Sequence, residues 1–110
     1  MSIIDSQLRQ GEQVINKTEA AMQLHKAPQS YPGFIVLTNQ RIFWVASGGL
    51  HGYEVDNSFE LEAISKVKCG TVIIFYRIVI YLKNGDSILF NQVDKRSAKA
   101  FVEAYNQLTN

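Results

Sequence analysis

Apolar residues recur with a period of two along most of this chain and switch to a helical period only near its end. Between residues 13 and 25, Val14, Asn16, Thr18, Ala20, Met22 and Leu24 make one loosely alternating side, the pattern of a half-buried strand. Pro28, Pro32 and Gly33 then mark residues 26–33 as a loop, since proline cannot donate to a strand ladder. Apolar runs at 33–37 and 42–46 flank Thr38-Asn39-Gln40-Arg41. Asn accepts positive φ, so a tight hairpin is expected there. Residues 51–61, 65–70, 72–83 and 87–92 complete a set of seven strands, with 61–64 a helical turn or bend. Asn84-Gly85 is the strongest hairpin signal, because both residues tolerate the φ of a type I′ turn.

The two ends read as helices. Residues 3–9 allow two turns with Ile4 and Leu8 on one face, stopped by Gly11. Near the C-terminus Asp94 is placed to cap a helix. Ala98, Phe101, Val102, Tyr105 and Leu108 follow on one apolar stripe, with Lys95, Lys99, Glu103 and Gln107 on the other face. Val93 and Ala98 are spaced to staple its start. The pattern thus predicts one domain over residues 1–110: a short helix within 1–11, strands across 13–92 and a helix over 94–108. The fold class is mainly β, a seven-stranded antiparallel barrel or sandwich whose open end is closed by the final helix.

Composition adds exclusions. A chain of 110 residues can bury a core without staples. The formal charge is +1 and the Lys and Arg are scattered along the sequence, so a nucleic-acid partner is not expected. Cys69 is the single cysteine; it reads as a small buried hydrophobe and suggests a reducing, cytoplasmic setting. The first residues do not read as a signal peptide, and the longest apolar stretch, 72–82, is too short to span a membrane as a helix.

That stretch breaks the alternation rule. One side carries Val72, Ile74, Tyr76, Ile78, Ile80 and Leu82; the other carries Ile73, Phe75, Arg77, Val79 and Tyr81. A small barrel has one inside, so the second side calls for a cover: the N-terminal segment, a protein partner or another copy of the chain. Phe75, Arg77, Val79 and Tyr81 are therefore the candidate protein-interaction residues.

The string Gly33-Phe34-Ile35-Val36-Leu37-Thr38-Asn39-Gln40-Arg41-Ile42-Phe43-Trp44 resembles the second and third strands of bacterial pleckstrin-homology (PH) domains and the related GRAM domains. Leu8 with Gly11-Glu12 is similar to the L-x-x-G-E that opens their first strand. Residues 59–67 resemble their I-P-L-x-x-I-x-x-V segment, with Glu60 where proline is usual. The resemblance spans nearly the whole chain and implies a PH-like barrel with one C-terminal helix. PH domains are known for holding phosphoinositides in the loop after the first strand. Here that loop, residues 25–32, offers Lys26, with Lys17 nearby and a mostly neutral His25. One or two cations give about 1 kcal/mol each at an anionic surface. Arg41 reads first as a structural clamp on the rim, able with Thr38 to reach across the turn, and second as an anion ligand.

No catalytic constellation is visible, and His25 and His51 lack partners at metal-ligand spacing. The reading is a non-catalytic module, without cofactor or metal, that binds a protein or itself. The alternative is a peripheral binder of anionic phospholipid head groups through Lys17, Lys26 and Arg41.

Overall fold

The alternating stretch at the start of the chain does not run straight. In the computed structural model, which describes residues 8–23, 30–46, 58–72 and 75–109, it forms β1 (Val14–Glu19), breaks at Ala20 and resumes as β2 (Ala21–Gln23). Next come β3 (Ser30–Tyr31), β4 (Gly33–Thr38), β5 (Arg41–Ala46) and β6 (Ser58–Glu60). A 3₁₀ turn (Leu61–Ala63) leads into β7 (Ile64–Val72), β8 (Phe75–Leu82) and β9 (Ser87–Asn91), and α1 (Lys95–Thr109) ends the chain. The strands make two antiparallel sheets, ordered β1-β4-β5-β6 and β3-β2-β9-β8-β7. The broken first strand thus belongs to both sheets and forms the corner between them. Of the expected barrel or sandwich closed by a C-terminal helix, two antiparallel sheets and the helix are present, and the described residues do not close into a seven-stranded barrel. Among the described residues no pairing joins β6 to β7, and nine strand segments replace seven because the first strand splits at Ala20 and a short strand precedes Pro32.

The corner is fixed by a tryptophan. The Ala20 N–H donates to the Gly33 carbonyl at 3.0 Å. The Trp44 indole Nε1–H donates to the Ala20 carbonyl at 3.1 Å. The indole lies against Gly33, where an added Cβ would overlap the Val45 carbonyl oxygen and stand 2.6 Å from the Trp44 ring. Backbone and a buried ring cannot both yield, so Gly33→Ala is expected to destabilise by about 1–3 kcal/mol. That corresponds to a fall in Tm of several degrees in a domain of this size. A thermal melt followed by circular dichroism reads this directly; an unchanged Tm would show that the corner gives way freely.

The turns follow local chemistry rather than the expected types. At β8–β9, Gly85 alone has positive φ, the Gly85 N–H donates to the Leu82 carbonyl (3.1 Å), and the Leu82 N–H donates to Asp86 (2.8 Å). This is a three-residue loop, a type I turn closed by a left-handed glycine, in place of a type I′ turn on Asn84-Gly85. At β4–β5 no residue has positive φ; the Thr38 hydroxyl instead accepts from the Gln40 and Arg41 N–H groups, each at 3.0 Å. At the N-terminus, residues 3–7 of the expected helix lie outside the described residues. Leu8 to Gln13 are not helical, and Gly11 with φ 78° makes a turn.

The core lies between the two sheets and under α1. Ile35, Leu37, Ile42, Ile78, Ile80, Phe90, Ala98 and Phe101 are fully buried there. Asp94 caps α1 as expected, its carboxylate accepting from the Ser97 N–H at 3.1 Å. The predicted stripe faces inward, with Ala98, Phe101 and Tyr105 buried and Val102 and Leu108 packed at its margin. A second, smaller cluster sits on the opposite face of the first sheet, where Val36, Phe43 and Val45 are buried with Leu8 and Phe34 against them. Leu8 therefore covers the first sheet, not β8.

Candidate interaction surface

The motif residues at the start of β1 and in the β4–β5 turn converge on one buried ion pair. The Glu12 side chain is fully buried, and Arg41 Nε donates to its Oε2 at 2.8 Å. Arg41 Nη2 reaches Glu12 Oε1 at 3.2 Å, Thr38 Oγ1 donates to Oε2 at 2.6 Å, and the Arg9 N–H donates to Oε1 at 2.8 Å. Arg41 also donates to Ser58 Oγ at 3.0 Å and lies 4.5 Å over the Phe43 ring. Burial pushes the Glu12 carboxyl up, but the bonds from Arg41, Thr38 and the Arg9 N–H outweigh it and hold the pKa at about 2. Asn39 completes the tie by accepting from the Gln13 N–H and donating to the Gly11 carbonyl. Outside it, Arg9 and Glu60 form a two-pronged ion pair at 2.9 and 2.5 Å. This constellation holds the loop before β1 onto the β4–β5 turn. It gives Arg41 the clamp role, and Glu12 is the partner that pattern reading did not single out.

Of the other two lipid-set residues only Lys17 is described, and it takes no part in this ion pair. Lys17 is exposed on β1, its amine 5.1 Å over the Phe34 ring, and Lys26 lies outside the described residues, as do His25 and His51. Among the described residues, no three His, Cys, Asp or Glu gather as a metal site, and no helix is long and apolar enough to cross a membrane. Cys69 is half-buried, its Sγ 3.7 Å from the Tyr76 hydroxyl.

The two sides of β8 separate as the sequence implied. Ile78 and Ile80 face the core and are fully buried. Arg77, Val79 and Tyr81 face away from it and are half-buried, while the Phe75 side chain lies outside the described residues. Register shows what joins them, since directly opposed residues share a face. On β7, Lys66 opposes Tyr81, Lys68 opposes Val79 and Gly70 opposes Arg77. On β9, Leu89 opposes Val79 and Ser87 opposes Tyr81. Val79 and Leu89 thus form a small apolar centre, with Tyr81, Arg77 and Lys68 around it. The Lys66 amine lies 5.0 Å over the Tyr81 ring. No carboxylate occupies these positions. The two lysines and Leu89 were missed from sequence because only pairing across three strands brings them to β8.

Comparison with known proteins places this fold. The family model described as Bacterial PH domain matches residues 8–107. Among solved structures, the C-terminal domain of an unknown protein from Leishmania infantum matches with a TM-score of 0.71 at 14% identity, over 92% of this chain and 88% of that one. The Vps36 N-terminal PH domain matches with a TM-score of 0.66 at 23% identity, over 94% of this chain and 86% of that one. At these identities the likeness is one of fold. No curated protein sequence matches the chain. The family match spans the Glu12–Arg41 tie, both sheets and nearly all of α1, and the chain belongs to the bacterial PH domain family.

Proposed function

We propose that this chain is a non-catalytic docking module that takes a protein partner on the outer face of β7, β8 and β9. PH domains act in general as interaction or lipid-binding modules. The observation that carries the protein reading is the surface itself: the apolar pair Val79 and Leu89 between Tyr81, Arg77 and Lys68, on a sheet whose other face already fills the core. Tyr and Arg beside an apolar centre, with charge at the margin, are the composition of protein interfaces. A second copy of the chain fits this face less well, because an isologous contact would set its cations against their own counterparts.

A photo-crosslinking residue in place of Val79 tests this inside the source cell, with the same residue in place of the exposed Val14 on the first sheet as comparison. Adducts of higher mass are expected from position 79 and not from position 14. Equal adducts at both positions, or none at 79, would remove the reading.

A further inference from the structure

We infer that the partner is acidic: an extended protein segment with carboxylates at alternate positions, laid across the outer face of β7, β8 and β9. This rests on the docking reading above and adds the chemistry of what docks.

Strand pairing gathers cations that are spread along the sequence onto one face. Residues 64–91, the β7–β9 segment, hold Lys66, Lys68, Arg77 and Lys83 against only Asp86, whereas residues 1–62 hold four cations against seven carboxylates. Asp94 is spent on the α1 cap, and Asp86 lies in the hairpin turn. The β7–β9 half of the molecule is therefore the positive one, and Lys66, Lys68 and Arg77 are the cations its register puts on one face.

The fold does not account for all three. Lysines on an edge strand guard against unwanted pairing, which suffices for Lys66 and Lys68 on β7. Arg77 is different. It sits on a strand flanked by β7 and β9, it is half-buried, and no carboxylate lies within ion-pair distance of it among the described residues. Arg9 and Arg41, by contrast, are each met by a glutamate. A half-buried guanidinium without its counter-charge is a local cost that a bound carboxylate would offset, by two parallel hydrogen bonds in the best geometry.

Geometry favours a peptide over a bilayer. Lys66 and Lys68 are two residues apart on one strand, a spacing that alternate side chains of an extended segment reproduce. Val79 on β8 and Leu89 on β9 lie half-buried beside them on the same face, an apolar centre for the side chains between the carboxylates. Three cations alone give about 1 kcal/mol each at an anionic membrane, which is too little for firm docking.

The test uses the full chain, labelled with nitrogen-15, and a short synthetic peptide of Glu at alternate positions with Leu between. The amides of Lys66, Lys68, Arg77, Tyr81 and Leu89 are expected to move in the NMR spectrum, and the affinity is expected to fall with added salt. The same peptide with Gln for Glu, and the exposed-site variant Lys68→Glu, are each expected to bind about tenfold more weakly, with the melting curve of the variant unchanged. Equal binding of the Gln peptide would overturn this inference while leaving the docking face in place. So would shifts confined to Lys95, Arg96 and Lys99, or binding of phosphatidylserine vesicles through the face without binding of the Glu peptide. Failure of the docking reading itself would show separately, as loss of the Val79 adducts.

Discussion

Glu12→Ala is expected to remove about 3–5 kcal/mol of stability, because it takes from the buried Arg41 the carboxylate that its Nε and Nη2 both bond. That is a large share of the 5–15 kcal/mol typical of a domain. It also frees Thr38 Oγ1 and the Arg9 N–H from their acceptor and so loosens the loop before β1 from the β4–β5 turn. Urea unfolding of the single variant should show the loss, and the double variant Glu12→Met with Arg41→Met should recover most of it, since apolar residues of similar volume can replace a buried pair. A double variant as weak as the single one would place the stability in the charges themselves.

Acid makes the same cut chemically. The Glu12 carboxyl is held at about 2 in the fold against an ordinary 4.5. A depressed pKa means that the unfolded chain binds the proton first, so the contribution is complete above pH 4.5 and is lost as pH falls toward 2. From the difference between the two pKa values it amounts to something on the order of 3 kcal/mol. The Arg9 side chain also holds the Glu60 carboxyl below its ordinary value, which adds to the same slope with the same sign. Glu12→Gln should flatten stability against pH in this window, and a slope equal to that of the native chain would assign acid lability to other groups.

Phe101→Ala is expected to cost about 3–5 kcal/mol, the range for truncating a buried phenylalanine and leaving the cavity unfilled. Phe101 sits at the middle of the inward face of α1, which packs over β1, β7 and β8, so the cavity opens where the helix bridges the two sheets. Glu103→Ala, two residues along on the exposed face, is expected to change stability by less than about 0.5 kcal/mol. Chemical denaturation of the two variants side by side separates packing from helix propensity. Similar losses in both would mean that α1 contributes as a helix and not as a lid.

The same helix shows what a sequence can disclose. Its apolar stripe, its cap at Asp94 and its polar face are all set by residues within a few positions of one another, so periodicity was enough. The hairpins around Thr38–Arg41 and Asn84-Gly85 were legible for the same reason, although their turn types were not. A type I′ turn and a type I turn closed by glycine use the same Asn-Gly, and only the register of Leu82 against Asp86 separates them. The break at Ala20 left no local mark, because it depends on Trp44 and Gly33 from other strands. Glu12 was visible only as part of a family-like motif, since its partner stands twenty-nine positions away. On the proposed docking face, Arg77, Val79 and Tyr81 could be found on one strand, whereas Lys66, Lys68 and Leu89 needed the pairing of three.

The sharing of one bent strand between two sheets bears on how the chain acquires its shape. β1, β4, β5 and β6 all lie within residues 14–60, so the first sheet has its strands before β7, β8 and β9 are made. β2 can pair early with β3 on one edge only, because on the other Met22 pairs with Phe90 and Ala21 with Asn91, about seventy residues later. Closing so wide a loop is slow for entropic reasons, and it comes after most other contacts can form. Until the last hairpin emerges, the segment beyond Ala20 is an open β edge, and the acidic first half of the chain, net −3 over residues 1–62, keeps like copies apart during that wait.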